Sequence, residues 1–448
     1  MRNVFLLLFV SAIVLTNCSS GSETEGDDTL LAFADSLFQS DVDSGYIAGA
    51  SVLVFQDGKR LVDQSYGYAS LELSVPMPEE GIFEIGSVTK QFTAAAILRL
   101  VEDGKLSLED DFTDYLAFDT GGRPITVGQL LNHTSGIPGY TEIPAFWELS
   151  LHRYQRDSLV RFLEEYDFLF EPGEAMIYNN SAYYFLGLII EEVADTSYED
   201  FLAASFFEPL WMDNTCYCSN TEVMANKVYG YNYSPEGLQQ RPYLDHTWPY
   251  AAGSLCSTSE DLLTWLRALH GGEVLTAASY QQMISPETLN DGLPIRYAMG
   301  LMNYDHYGHQ YLGHGGGIHG FLSETRYFPE EDLYIICLLN TGGPKSPAYF
   351  ADQLTWQILD KQEPAGQPLD RDATVFAGTY SGPVRGRMLS IDVTIVDEQM
   401  VFSYENQPDT LSTYLGDRSW ADGNNRFIFT DDELHIDQLS GYYRLKKK

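Results

Sequence analysis

Positive charge is scarce in this sequence of 448 residues. There are 26 lysines and arginines against 64 aspartates and glutamates, and the formal net charge is −38. A chain this acidic repels a phosphate backbone, so we expect no nucleic-acid partner. Long apolar runs are also scarce. Apart from the N-terminal run, no segment has the composition of a transmembrane helix. The hydrophobic content of 44% still indicates a folded globular protein.

Cysteine is rare too, with five in the chain. No second pair of cysteines or histidines lies at the spacing of a zinc finger, so a zinc site is not expected. Cys216 and Cys218 are too close for an easy mutual disulfide, but either could reach Cys256 in an oxidising compartment. Cys337 lies in an apolar run and is expected in a buried strand.

The N-terminus has the pattern of an export signal. Arg2 precedes an apolar stretch, residues 4–15, which is too short to span a bilayer and is typical of a secretory signal. Cys18 follows it and resembles the lipid-attachment cysteine of bacterial lipoproteins. We therefore predict a signal over 1–18, a polar tether over 19–28, and export to the bacterial cell envelope or periplasm. Cys18 is the candidate lipid anchor to a membrane.

Apolar periodicity predicts an α+β domain over residues 29–360. Strand patterns come from both ends of this region and flank a helical middle, which predicts one antiparallel sheet that joins the two ends. Asp57-Gly58 is a hairpin signal between the first two strands. The predicted strands are 50–56, 60–66, 297–302, 310–312, 321–327 and 333–339. The predicted helices are 29–41, an apolar helix ending near 103, 127–132, 157–166, 182–194, 198–204, 259–270 and 348–359.

The C-terminal part has a different composition. Residues 361–371 are rich in Pro, Gln and Gly, which predicts a linker. Beyond it, residues 372–448 predict a small all-β module with strands at 388–396, 401–404, 427–430 and 442–445. The module contains no evident catalytic cluster, so we expect a structural or specificity-tuning role for it.

The feature most informative about chemistry is Ser87, followed three residues later by Lys90 at the start of a long apolar helix. On a helix, positions i and i+3 share a face, so the hydroxyl and the amine would lie side by side. A desolvated amine can have its pKa lowered enough to take a proton from a serine hydroxyl. Ser-x-x-Lys also arises by chance, but a lysine buried in an apolar helix costs free energy unless it is used.

Two further stretches carry candidate site residues. Tyr178 and Asn180 are two apart, so in an extended segment their side chains point the same way. The tyrosine could relay a proton and the asparagine could hold Lys90 and a substrate carbonyl, although a helix cap with a packed tyrosine is the alternative. The run 313–320 is rich in glycine and lets a backbone or ligand approach closely, although a loose turn is the alternative.

Together these stretches resemble a known family. They occur in the order, and at about the separations, of the serine β-lactamase and penicillin-binding-protein superfamily. The sequence is most similar to its class C β-lactamase-related branch, which includes esterases and D-amino-acid peptidases. Stretches 130–136, 208–212 and 321–329 agree, and 376–380 resembles the lipocalin-like appendage of some relatives. The three motifs are Ser87-x-x-Lys90, Tyr178-x-Asn180 and His314-x-Gly316.

The resemblance implies a serine hydrolase that acts on an ester, amide or lactam carbonyl of a small molecule. Ser87 would form an acyl-enzyme with Lys90 as the base. Tyr178 would protonate the leaving group and later activate water, and Asn180 would orient the substrate. The oxyanion hole would be the N–H groups of Ser87 and Gly317. The resemblance implies neither a metal nor an organic cofactor.

One residue departs from the family pattern. Many β-lactamases and D-alanyl peptidases have a lysine where His314 stands, and that cation helps to hold a substrate carboxylate. Histidine is mostly neutral at pH 7, so anchoring here should be weaker, and an esterase, amidase or peptidase is at least as well supported as antibiotic hydrolysis.

Two rival interpretations remain. The run 314–317 is similar to the oxyanion motif of α/β-hydrolase lipases, but that fold needs a G-x-S-x-G elbow, which the chain lacks. A penicillin-recognising sensor or a non-turnover envelope binding protein is the alternative from another class. Slow deacylation would favour this sensor, and rapid product release would favour the hydrolase.

Overall fold

The computed structural model describes residues 21–362, 365–396, 399–404, 410–423 and 425–448, and gives residues 21–27 by backbone only. The predicted signal and Cys18 lie outside the described residues, so export and lipid attachment stay predictions. Within the described part of the chain, no helix combines the length and the apolar character of a membrane span.

The helices follow the predicted pattern closely. A 3₁₀ turn, Gly86–Val88, leads into the second helix, and another, Tyr140–Glu142, precedes the fourth. The helices are α1 Gly21–Asp43, α2 Thr89–Glu102, α3 Val127–Leu131, α4 Phe146–Leu149, α5 Arg156–Leu163, α6 Asn180–Ala194, α7 Tyr198–Leu202, α8 Tyr250–Gly253, α9 Ser259–Gly271, α10 Ala277–Ile284 and α11 Pro347–Ile358. Because α1 begins at Gly21, residues 21–28 of the predicted tether are helical; extending a docked helix by further residues costs little.

The strands fall into a first set, before residue 361, and a C-terminal set. The first set is β1 Gly49–Gln56, β2 Lys59–Ser70, β3 Val75–Pro76, β4 Phe83–Glu84, β5 Met176–Ile177, β6 Cys216–Tyr217, β7 Tyr231–Ser234, β8 Gly237–Gln240, β9 Leu255–Ser257, β10 Met302–His306, β11 His309–Ile318, β12 Phe321–Phe328, β13 Leu333–Leu339 and β14 Thr341–Gly342. The second set is β15 Gly378–Val384, β16 Arg387–Val396, β17 Gln399–Tyr404, β18 Thr410–Leu411, β19 Thr413–Gly416, β20 Ser419–Asp422, β21 Asn425–Phe429, β22 Glu433–Gln438 and β23 Gly441–Lys447.

The main sheet joins the two ends of the domain, as predicted. Its seven strands run β10-β11-β12-β13-β1-β2-β3, and β1 pairs antiparallel with β13 in the centre. Alternate residues of β1 enter two cores, because successive side chains of a strand point to opposite faces. Val52 and Val54 pack under α1 and α11, whereas Leu53 packs against the helical middle. The α+β prediction, with a helical middle and a C-terminal all-β module, is confirmed.

One predicted strand is wrong. Residues 297–301 form a turn in which Ala298 N–H donates to Leu301 O at 2.8 Å, and β10 starts only at Met302. Gly300 causes the reversal: its φ is 72°, and a Cβ there would lie 2.5 Å from the carbonyl oxygen of Lys90. A turn therefore replaces the predicted strand, because the chain packs closely against α2 at this point. In the opposite direction, β11 is longer than predicted and continues through the glycine run to Ile318.

The C-terminal module is more extensive than the four predicted strands. Its sheet runs β18-β17-β16-β15-β23-β22-β21-β20-β19, and β5 of the first set also pairs with β23. In that pairing Tyr442 lies opposite Met176, and Gly441 lies opposite Ile177. Since β5 ends one residue before Tyr178, the module supports the backbone of a candidate site residue.

The cysteines agree with the predicted alternatives. Cys218 and Cys256 form a disulfide, Cys216 is a free thiol, and Cys337 is buried in the centre of β13.

Candidate active site

Ser87 lies in the 3₁₀ turn just before α2, and Lys90 lies in the first turn of α2. The predicted proximity is present, since Lys90 Nζ is 3.1 Å from Ser87 Oγ. A regular α-helix was not needed for this, because a 3₁₀ turn also brings positions i and i+3 together. Gly86, with φ 51°, gives the turn its backbone conformation.

The environment of Lys90 favours the neutral amine. The side chain is fully buried, and its Nζ lies 2.8 Å from Asn180 Oδ1 and 2.7 Å from the carbonyl oxygen of Ala252. Burial, and next the positive charge of Arg385, lower the pKa of Lys90 well below its ordinary value. A neutral amine has two N–H groups and one lone pair. Because the two acceptors take the N–H groups, the lone pair is left for the Ser87 hydroxyl.

Tyr178 stands beside this pair. Its ring centroid is 4.8 Å from Lys90 Nζ, and its hydroxyl is buried without a well-formed hydrogen bond in the described structure. Burial raises the pKa of the Tyr178 hydroxyl, while nearby Ser87 and Arg385 partly offset the rise. The phenol therefore stays protonated at neutral pH and has a proton to give. Its backbone N–H donates to Ser440 O of the C-terminal module at 3.1 Å.

Asn180 is the first residue of α6, and the helix cap predicted as its alternative role belongs to its neighbour. The side chain of Asn179 accepts from Ala182 N–H at 3.0 Å and caps the helix. The Asn180 side chain is thereby free to accept from Lys90 and to donate to Thr141 Oγ1 at 3.2 Å. The structure thus brings Ser87, Lys90, Tyr178 and Asn180 together from two separate stretches of the chain.

The glycines of β11 let this strand lie against the Ser87 turn. A Cβ on Gly316 would lie 2.1 Å from Ile85 O, a backbone atom that cannot give way cheaply. A Cβ on Gly86 would lie 2.8 Å from the backbone nitrogen of Gly317. The Gly317 N–H therefore lies beside the turn that holds Ser87, the candidate nucleophile, where the predicted oxyanion hole needs a donor.

His314 is buried on β11 and is neutral. Burial lowers the pKa of His314 to about 3. Its Nε2 lies 2.9 Å from the Tyr297 hydroxyl, and its Nδ1 faces the carbonyl oxygen of Gly315. His314 therefore supplies no cation to the site. Among the described residues, no group of three or more His, Cys, Asp or Glu side chains is placed to hold a metal ion.

The sequence did not indicate a second group of residues around the site. Arg385 comes from the hairpin between β15 and β16, and its Nε donates to Glu142 Oε1 at 2.7 Å. Thr141 Oγ1 also donates to Glu142 Oε1, at 2.8 Å, and accepts from Asn180. Hydrogen bonds thus connect Arg385 of the C-terminal module, step by step, to Lys90. The only signal in the sequence is an arginine flanked by turn residues in 382–386.

His133 was noted only as part of a stretch typical of the family. Its ring lies between Tyr178 and Tyr297, with centroids 4.4 Å from each. Its Nδ1 accepts from Asn179 N–H at 3.2 Å. Burial lowers the pKa of His133 well below its ordinary value, so this neutral ring packs behind the catalytic tyrosine candidate.

Comparisons with known proteins agree with this arrangement. The family model described as "Beta-lactamase" matches residues 34–360. Penicillin-binding protein 4* of Bacillus subtilis (strain 168) is 32% identical over 413 residues, which cover 88% of this chain and 85% of the relative.

Two solved structures extend the comparison. The D-amino acid amidase of Ochrobactrum anthropi SV3 complexed with L-phenylalanine amide has a TM-score of 0.63 at 25% identity, and the match covers 73% of this chain and 98% of the amidase. The octameric penicillin-binding protein homologue of Pyrococcus abyssi has a TM-score of 0.65 at 24% identity, with 93% and 99% covered. The second likeness concerns the fold and extends into the C-terminal module.

Proposed function

This chain belongs to the beta-lactamase family and is a serine hydrolase of that family, and on this premise we propose that it cleaves amide and ester bonds of small substrates through an acyl-enzyme on Ser87. The observation that carries the proposal is the buried amine of Lys90, 3.1 Å from the hydroxyl of Ser87. An amine in this position, with its other hydrogen bonds already made, is a base for that hydroxyl.

The proposed reaction has two halves. Ser87 Oγ attacks the carbonyl carbon while Lys90 takes its proton, and the N–H groups of Ser87 and Gly317 hold the oxyanion. Tyr178 gives its proton to the leaving amine or alcohol and is reprotonated through Lys90. Water then attacks the acyl-enzyme, and the carboxylic acid leaves as Ser87 regains its proton.

Amides and esters are the proposed substrates rather than β-lactam antibiotics. A matched relative at 25% identity is a D-amino acid amidase with L-phenylalanine amide bound, which makes amino-acid amides the first compounds to test. The 32% identical relative is named as a penicillin-binding protein. Neutral His314 gives no charged partner on β11 for the carboxylate that a β-lactam carries beside its ring.

We expect the purified protein to turn over p-nitrophenyl acetate and D-phenylalanine amide continuously, and nitrocefin far more slowly than either. Ester hydrolysis and nitrocefin opening are measured by absorbance, and amide hydrolysis by released ammonia. Wild-type protein that forms one equivalent of a stable adduct with penicillin, and releases no product from any of the three, would contradict the proposal and support the sensor.

The pH dependence should distinguish Lys90 from Tyr178 as the base. If neutral Lys90 is the base, kcat/KM for a non-titrating ester rises with pH as Lys90 loses its proton. This rising limb of the pH profile is centred at a pH well below 10.5, because the pKa of Lys90 is lowered. No second rise occurs as pH approaches 10, since the pKa of Tyr178 is raised. Glu142→Gln should move the limb to lower pH, because the charge of Glu142 raises the pKa of Lys90. If Glu142→Gln leaves this limb at the same pH, the limb reports the titration of a group other than Lys90.

A further inference from the structure

Arg385 lies at the tip of the two-residue turn between β15 and β16, where Val384 pairs with Arg387. The hairpin carries its guanidinium to 5.0 Å from the ring centroid of Tyr178. The side chain keeps 36% of its surface exposed, so it lies at the mouth of the site and not inside the module. A residue far from the catalytic motifs thus places a permanent charge beside the reacting groups.

One edge of the guanidinium is fixed and the other is available. Nε donates to Glu142 at 2.7 Å, and Nη2 makes a long contact of 3.5 Å with Thr141 Oγ1. An arginine has five N–H donors in a rigid fork, so among the described residues these two contacts leave three donors, two on Nη1 and one on Nη2, without a protein acceptor. Glu142 holds the plane of the fork, which reduces the entropy lost when a planar anion pairs with it.

Other cations of the site are unsuited to bind an anion. Lys90 is fully buried with its pKa lowered well below its ordinary value, and His314, with a pKa of about 3, is neutral. Arg241 is already paired with both carboxylate oxygens of Glu84, with Nη2 at 2.7 Å from Oε1. A negatively charged substrate group that reaches the Glu142 side of the site therefore meets Arg385.

The space beside Arg385 is suited to a substrate. A cavity of about 230 Å³ opens between the catalytic domain and the hairpin, and Arg385, Glu142 and Tyr178 lie along it. The rest of its lining includes the apolar residues Ile143, Pro144, Leu169 and Ile177, together with one acidic residue, Asp167. A short apolar group with a carboxylate at its end matches this lining.

We propose that Arg385 is a substrate-binding residue of the C-terminal module, which pairs with a carboxylate carried by the amide or ester substrate. This inference rests on the proposed hydrolase function and assigns the module a part in specificity. The preferred substrates are then acidic, such as half-esters of dicarboxylic acids or peptides with a free C-terminal carboxylate.

The test uses two pairs of substrates that differ in one carboxylate. Mono-p-nitrophenyl succinate and p-nitrophenyl acetate differ in the acyl part, and D-alanyl-D-alanine and D-alanyl-D-alaninamide differ in the leaving group. At the plateau of the pH profile, Arg385→Gln should lower kcat/KM about 10- to 100-fold for the carboxylate member of at least one pair, chiefly through KM. The neutral members should change by less than about fivefold.

Arg387→Gln is the matched control, because it removes the same charge two residues along the same hairpin, and it should leave all four rates unchanged. Arg385→Lys keeps the charge without the fork and should fall between wild type and Arg385→Gln. Equal losses on charged and neutral members would overturn the role of Arg385 in binding while leaving the hydrolase intact. A wild-type protein inert toward all four would instead contradict the proposed function itself.

Discussion

Ser87→Ala should abolish turnover of every ester and amide that the wild-type protein cleaves. Among the described residues, the Ser87 hydroxyl is the nucleophile that Lys90 contacts, and an alanine leaves no atom to carry the acyl group. Removing the nucleophile of a serine hydrolase lowers kcat by up to about 10⁶-fold, and the oxyanion hole alone retains a residual rate over water. We therefore expect a loss of at least about 10⁴-fold for p-nitrophenyl acetate, measured with the wild-type protein in parallel.

The fold should survive this substitution, because Ser87 is only partly buried and its hydroxyl interacts only weakly with its neighbours Lys90, at 3.1 Å, and Tyr178. The matched control is Ser40→Ala, an exposed serine of α1 on the opposite face of the main sheet, which should keep full activity. Mass spectrometry during turnover should show an acyl adduct on the wild-type protein and none on Ser87→Ala. Equal rates in the two proteins would remove Ser87 from the mechanism.

The proximity of Ser87 and Lys90 could be predicted from the sequence because it is local. Two residues three positions apart lie side by side on any helical turn, whatever the rest of the chain does. A helical pattern was therefore enough to predict that Ser87 and Lys90 are neighbours. Tyr178, Asn180 and the glycines of β11 are non-local, and the resemblance to a family was needed to group them. Their burial and spacing in the structure support that grouping.

The position of Arg385 at the site could not be predicted from the sequence. It contacts Glu142 across 243 positions of the chain, and nothing in the hairpin sequence marks its tip as facing another domain. The pairing of β5 with β23 was missed for the same reason, since a two-residue strand has no detectable alternation. The strand predicted over 297–301 was wrong for a related reason. Its apolar pattern is typical of a strand, but the segment turns because it packs closely against α2, and this contact exists only in the tertiary structure.

Lys90→Met should lower kcat by about 10²- to 10⁴-fold, which is the contribution typical of a positioned base. Methionine has nearly the length and shape of the lysine stem, so the apolar packing of α2 is kept. The carbonyl oxygen of Ala252 and Asn180 Oδ1 lose a donor, which costs about 1–3 kcal/mol for each buried acceptor. Relief from burying an amine offsets part of this cost, so the protein should still fold, as a denaturant titration would show.

Lys90→Arg tests whether Lys90 acts as a base or only as a positive charge. A guanidinium is charged at any pH at which the protein is folded, so it can stabilise negative charge but cannot accept the Ser87 proton. If Lys90 acts as the neutral amine that its surroundings favour, the arginine variant should be as inactive as the methionine variant. Lys105→Met, an exposed lysine just after the same helix, should behave as wild type. An arginine variant that retained most of the activity would mean that Lys90 works through its charge. The proton of Ser87 would then need another acceptor, for which Tyr178, whose hydroxyl interacts with Ser87, is the candidate.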